Sequence, residues 1–163
     1  MKIPVSVLVV MYSPSGAFLL IERADKAGYW QSVTGSLDAL SEPPIVAAQR
    51  ELFEEVGVKA EVDDTQAAHL SNLNATDLKK PLVIRPWPKH IQYEIFPHWR
   101  HRYAPGVTHN TEHWFHVCLP DGFVPTLAER EHVGYAWLAS DEAQERCFSP
   151  NNAQAIAELA AKI

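Results

Sequence analysis

Two hydrophobic periods alternate along this chain, and the switches between them mark its elements. Val5–Tyr12 (VSVLVVMY) is an apolar, β-branched run interrupted only by Ser6. At that length it reads as a strand buried on both faces. Ser13-Pro14-Ser15-Gly16 is a turn cluster, and Ala17–Arg23 (AFLLIER) resumes the apolar run, so the pair predicts a hairpin. A short apolar segment, Trp30–Thr34, leads into Gly35 and a polar loop. The period then lengthens: Ile45, Ala48, Leu52 and Val56 recur at spacings of three and four. Such spacing predicts a helix with one core-facing stripe. Pro43-Pro44 open it, where a missing amide donor costs little, and Gly57 ends it.

Further strands are predicted at Ala60–Val62, Ala67–Leu70, Tyr93–Phe96, Trp114–Leu119 and Val133–Leu138. Ser149-Pro150 opens a last helix through Ala153–Ala161. Asn72–His90 is proline-rich and without period, and reads as a long surface loop. Many strands with two well-separated helices predict an α/β fold, an α/β/α sandwich on a mixed sheet, in a single domain over residues 1–163.

Composition narrows the function. The chain has 163 residues and a net charge of −6, which disfavours gripping a nucleic-acid polymer or an anionic membrane surface. Its longest apolar run is far short of the ~20 residues that span a bilayer. Two cysteines, Cys118 and Cys147, make no disulfide framework and fit a reducing cytoplasm. The charge is unevenly spread: Lys79 to His109 carries six Lys or Arg against one acid, Glu94, leaving eight against nineteen elsewhere. That distribution suits a small polyanion held against a basic segment, with a cation offsetting the acidic remainder.

The acidic part is concentrated on the first helix, in Arg50-Glu51-Leu52-Phe53-Glu54-Glu55-Val56-Gly57-Val58. Glu51, Glu54 and Glu55 are three and four residues apart and share a face. Their repulsion costs roughly 0.2–0.5 kcal/mol per like pair, which a hard divalent cation such as Mg²⁺ would remove. On its own the cluster reads as a solvated helix face. With Gly35 and Glu42 upstream, however, the stretch closely resembles the Nudix box, G-x5-E-x7-R-E-U-x-E-E-x-G-U, where U is a bulky aliphatic residue. Every fixed letter is present in order. The one departure is an extra residue between Gly35 and Glu42, which a bulge in the loop 36–41 absorbs.

The resemblance implies a Nudix α/β/α sandwich and a metal-dependent hydrolase of phosphoric anhydrides. Residue by residue, it implies that Glu51 and Glu55 hold Mg²⁺ (Mn²⁺ substituting), with Glu54 and the Thr34 carbonyl as further ligands. Arg50 would orient the glutamates. Glu131, in Glu131-His132-Val133-Gly134-Tyr135-Ala136-Trp137, matches a family glutamate before the last strand, as general base or metal ligand, with Glu51 the rival base. His132 reads as structural. A Nudix fold used only for binding would show broken glutamate positions, and all stand here.

A second cluster, His98, Arg100, His101 and Arg102 beside Trp99 and Tyr103, pairs phosphate-binding guanidinium groups with flat aromatic faces. The longer pattern EIF-x-HWRHRYAPGV-x-xNTE-x-WF, with Trp30–Ser36, resembles a bacterial Nudix branch that hydrolyses 7,8-dihydroneopterin triphosphate. The implied substrate is thus a small-molecule triphosphate, split to monophosphate and pyrophosphate. The alternative is a nucleoside triphosphate, dGTP, dATP or an oxidised nucleotide, since pterin and guanine share an edge. Arg23, Arg100 and Arg102 are then expected on the phosphates, Gln31, Ser32 and Asn110 on the heterocycle's edge, and Trp30, Phe96 and Tyr103 on its face. Monomer and homodimer are both compatible with the sequence.

Overall fold

In the computed structural model, which describes residues 1–63 and 81–163, the apolar runs become one mixed sheet. Its strands are β1 (Val5–Tyr12), β2 (Phe18–Arg23), β3 (Trp30–Gln31), β4 (Val33–Ser36), β5 (Ala60–Val62), β6 (Leu82–Glu94), β7 (His109–Cys118) and β8 (His132–Leu138). β1 lies parallel to β7 along its whole length. Its other side is shared: β4 pairs with Ser6–Val9 and β2 with Met11–Tyr12. The sheet therefore forks beside β1, with β2, β3 and β8 on one arm. The expected segment Trp30–Thr34 is split at this fork, because the chain leaves β2 at Gln31 and joins β1 at Val33.

Successive residues of β1 face opposite layers, as the pleat requires. Val7, Val9 and Met11 pack with Ala47, Ala48, Leu52 and Val56 of α1 (Pro44–Val56). Leu8 and Val10 pack with Trp114 and with Ala155, Ile156 and Leu159 of α3 (Pro150–Ala160). Burying each such Val or Leu contributes about 1.5–3 kcal/mol, so both layers hold the central strand in place. The expected α/β/α sandwich on a mixed sheet is observed. Gly57 takes a left-handed φ of 76° and its N–H closes α1 on Phe53 O. None of the helices among the described residues is long and apolar enough to cross a membrane.

Three elements depart from expectation. The loop predicted over 72–90 gives way at Leu82 to β6, a 13-residue strand that absorbs the expected Tyr93–Phe96 strand up to Glu94. β5 pairs only with Leu82–Ile84, so Pro86 lies beyond that ladder, and the register with β7 shifts between Pro86 and His90. A strand tolerates proline at such an edge or bulge. A short helix α2 (Ser140–Arg146) and a 3₁₀ helix (Pro97–Arg102) were not expected, since neither is long enough to show a hydrophobic period. The predicted strand Ala67–Leu70 and residues 72–80 of the predicted loop lie outside the described residues.

Candidate active site

The fork of the sheet opens into a cavity of about 680 Å³, within the range of small-molecule sites. One wall is acidic and comes from α1, β4 and the start of β8. Gly35 lets it form. A Cβ on residue 35 would lie 2.2 Å from Glu51 Cδ, so the Glu51 carboxyl fills the space that a side chain would take. Through this gap a carboxylate from the α1 layer reaches a cavity lined also by Ser6 and Leu8 of the opposite sheet face.

Arg50 braces that wall. Its Nη1 donates to Glu51 Oε1 at 2.8 Å, and its Nε and Nη2 donate to the two Glu42 oxygens at 3.2 and 3.0 Å. Nη2 also reaches the Ser36 carbonyl at 3.2 Å, and Glu54 Oε2 lies 3.6 Å from Nη1. The extra loop residue before Glu42 leaves this fork-to-fork contact intact: Glu42 Oε1 also accepts the Asp38 N–H at 2.9 Å, which closes the bulge. Hydrogen bonding to Arg50 holds the Glu42 carboxyl below its usual range.

Deeper in, Glu55 is buried and its Oε2 accepts the Thr34 N–H at 3.1 Å. Burial, and then the neighbouring Glu51 charge, push its pKa well up. Glu51 is also raised by burial, against the pull of Arg50. His132 Nε2 lies 3.4 Å from Glu55 Oε1, yet burial and then the Arg23 charge lower His132 to about 4. At neutral pH the imidazole is uncharged and cannot serve as the counter-ion of Glu55. His132 Nδ1 has no hydrogen-bond partner among the described residues.

Glu55, Glu131 and His132 each offer a ligand atom within 4.8 Å of the others. Two carboxylates and a neutral imidazole, with Glu51 at the same wall, fit a divalent cation. Its charge would reverse the shift that burial imposes on Glu55. Glu131 is exposed and lines the cavity, a geometry open to a ligand or a base. Glu54 does not line it; the side chain is 53% exposed beside Arg50.

The facing wall comes from β6, β7, the 3₁₀ helix and the entry to α3. Phe96, Trp99, Tyr103 and Phe148 line it, with the Arg102 guanidinium 5.7 Å above the Trp99 ring and Trp99 edge-on to Phe148 at 5.9 Å. Gln31, Arg23 and Asn110 also line the cavity. Arg23 is held bidentately by Asp25 at 2.8 and 2.7 Å. Asn110 Nδ2 donates to Ser6 Oγ at 2.7 Å and Tyr93 Oη at 3.1 Å.

Three residues expected to touch substrate lie elsewhere. Trp30 packs against the α3 layer with Arg146 5.3 Å above its ring. Arg100 is engaged by the Ile95 carbonyl at 3.0 Å and Glu94 at 2.5 Å. Ser32 is fully buried, its N–H donating to Asn152 Oδ1 at 2.8 Å while its Oγ accepts from Asn152 Nδ2 at 2.9 Å. Ser32 thus clamps the fork to the first turn of α3.

Sequence reasoning passed over Lys2, Tyr93, Glu112, Phe148 and Asn152, all of which line the cavity. The signal for Glu112 is its parity: it alternates with the apolar Phe115 and Val117 face and shares the inward side with Asn110 and Trp114. An acid at an inward strand position is rare enough to single out.

The model of the NUDIX domain matches residues 2–159. The dihydroneopterin triphosphate diphosphatase of Haemophilus influenzae is 38% identical over 152 residues, covering 93% of this chain and 84% of the relative. The Escherichia coli K12 protein of the same name is 38% identical over 159 residues, covering 97% and 93%. The solved E. coli dihydroneopterin triphosphate pyrophosphohydrolase superposes with a TM-score of 0.79 at 36% identity, covering 99% of this chain and 98% of that one. A Caenorhabditis elegans Ap4A hydrolase complex, at 17% identity and a TM-score of 0.62 over 96% of this chain and 95% of that one, shares the fold. With the braced glutamates of α1, the Gly35 gap and a match over nearly its whole length, this chain belongs to the NUDIX domain family.

Proposed function

We propose that this chain is a Mg²⁺-dependent pyrophosphohydrolase, converting 7,8-dihydroneopterin triphosphate to the monophosphate and pyrophosphate, with Mn²⁺ able to substitute. The observation that carries the reading is one cavity with a cation-seeking carboxylate wall on one side and an aromatic, acceptor-bearing wall on the other. The two relatives at 38% identity are named for this reaction. The free Cys118 and Cys147 support a reducing, cytoplasmic setting.

Glu51, Glu55 and Glu131 would hold the cation, with the Thr34 carbonyl beside them, while Glu54 lies outside the cavity beside Arg50. A bound divalent ion there supplies phosphate neutralisation and a more acidic water. Arg50 fixes Glu51 in the Gly35 gap through a charge-assisted hydrogen bond. Glu131, exposed at the cavity, takes the proton as the water oxygen attacks phosphorus, and pyrophosphate leaves with the electrons of the broken P–O bond. Glu51, held by Arg50 at the same wall, is the rival for that proton. Arg102 and Arg23 face the phosphates, and Trp99, Phe96 and Tyr103 flank the heterocycle.

The test is a panel of dihydroneopterin triphosphate, dGTP and dATP with Mg²⁺, run in ¹⁸O-labelled water and read by phosphorus NMR. Pyrophosphate and the pterin monophosphate are the expected products, with the pterin substrate highest in kcat/KM. Full activity in EDTA, or a preference for dGTP or dATP, overturns the reading.

A further inference from the structure

The cavity floor holds a carboxylate that hydrolysis does not use. Glu112 is 7% exposed, on β7, and lines the cavity on the side away from the metal-binding glutamates. Among the described residues its one hydrogen bond comes from Trp114 Nε1 at 3.0 Å, and no cation pairs with it. A buried carboxylate with a single neutral donor is costly, since each oxygen has two acceptor sites and most are unfilled. Two residues along the same strand face, Asn110 Oδ1 is buried with no partner among the described residues, while its amide nitrogen is committed to Ser6 and Tyr93. The floor therefore presents spare acceptors and no spare donor from these two side chains.

Register sets the distance. Glu112 pairs across to Ser6, and Ser6 across to Ser36 at the end of β4. Two strand spacings put Glu112 about 10 Å from the strand beside the Glu51 carboxylate. That separation suits a ligand with phosphates at one end and a hydrogen-bonding ring edge at the other.

We propose that Glu112 is the specificity-determining residue for the heterocycle, its carboxylate accepting the ring N–H and the adjacent 2-amino group of a 2-amino-4-oxo pyrimidine edge, with Asn110 Oδ1 taking the amino group's other hydrogen. This edge presents neighbouring donors, which a carboxylate matches bidentately as it matches a guanidinium group. Replacing the 2-amino group by oxygen sets an acceptor against the carboxylate, an unpaired contact that a site built on hydrogen bonds rejects strongly. The inference rests on the pterin reading above.

Glu112→Gln tests it, because the amide oxygen can keep the Trp114 bond while the amide nitrogen turns an acceptor into a donor. Binding of neopterin and of its 2-oxo (lumazine-type) analogue is followed by ligand fluorescence on the full chain, beside hydrolysis of dihydroneopterin triphosphate. The wild type is expected to prefer neopterin by at least about tenfold, the worth of a hydrogen bond to a charged group. The E112Q variant, with an unchanged circular dichroism spectrum, is expected to lose or invert that preference while its kcat on dihydroneopterin triphosphate changes less than its KM. A wild type without the preference, whether it binds both ligands or neither, overturns the assignment, as does E112Q retaining it. A wild type that hydrolyses no dihydroneopterin triphosphate overturns the underlying reading instead. An E112Q variant that fails to fold is replaced by Asn110→Asp, which keeps an acceptor on the floor and is expected to preserve the preference; its loss there counts against the proposal.

Discussion

The two walls of the cavity solve opposite electrostatic problems. On the α1 side, carboxylates are gathered until burial and mutual repulsion push Glu51 and Glu55 upward, and the nearest imidazole stays neutral. On the β6–β7 side, the basic charge is settled within the protein, Arg100 on Glu94 and Arg102 over Trp99, and the open groups are the acceptors of Glu112 and Asn110. One wall is incomplete without a cation; the other is finished for a flat ring except at the acceptors that would meet its edge. Damage to the first should act on turnover, and damage to the second on substrate affinity.

The sharpest contrast comes from Glu55→Gln. It removes a carboxylate from the candidate metal wall while the amide oxygen can still accept the Thr34 N–H. Metal-ion stabilisation of a phosphoryl transition state amounts to several kcal/mol, so kcat is expected to fall by about 10³-fold. Pyrophosphate release at saturating substrate and Mg²⁺ measures it. A fall confined to KM would erase the distinction between the walls.

Gly35→Ala probes the same wall through geometry alone, since it changes no charge. The new methyl would sit at the Glu51 carboxyl and force it out of the gap. Displacing or disorienting one ligand typically costs 10–100-fold, and a loss of about that size is expected. Metal titration of the variant, by calorimetry, should show a parallel weakening.

How legible each wall was in the sequence follows from how each is built. Most of the acidic wall is local: Glu51 and Glu55 share one helix face by spacing, and Arg50 and Gly35 stand at fixed offsets from them, whereas Glu131 and His132 join from the start of β8 and Glu54, on the same face by spacing, stays outside the cavity. The facing wall is assembled from residues far apart in the chain, such as Asn110 with Ser6, 104 positions apart, and Trp99 with Phe148. No period joins them, so composition pointed to the right segment but not to the right side chains. Arg100 and Arg102 looked equivalent as letters, yet in the 3₁₀ helix one turns to Glu94 and the other to the cavity. The same limit hid β6, because Pro86 argues against a strand in sequence and is accommodated beside a register shift.

Trp99→Ala addresses the second wall directly. Loss of one aromatic face beneath a heterocycle is worth about 1–3 kcal/mol, so KM is expected to rise at least about fivefold with kcat nearly unchanged. Initial rates on dihydroneopterin triphosphate separate the two constants. A fall in kcat with constant KM would place Trp99 with the glutamates in function.

The smallest effect isolates the unfinished charge of the first wall without any substrate. In metal-free protein the buried Glu55 carboxyl holds its proton to higher pH than it does in the unfolded chain. A carboxyl raised in this way contributes stability that is full below its unfolded value, 4.5, and declines as pH rises from there through the folded value, because the unfolded state gives up its proton first. The Tm of the EDTA-treated wild type should therefore drop relative to Glu55→Gln as pH increases above about 4.5. Saturating Mg²⁺ should cancel the difference or reverse it, since a bound cation stabilises the ionised form and binds only the folded chain. Parallel thermal melts of the two proteins across pH, with and without Mg²⁺, make the measurement. Equal pH profiles in EDTA would mean that Glu55 is no more burdened by its surroundings than an exposed carboxylate, and the contrast between an unfinished and a finished wall would fail at its deepest residue.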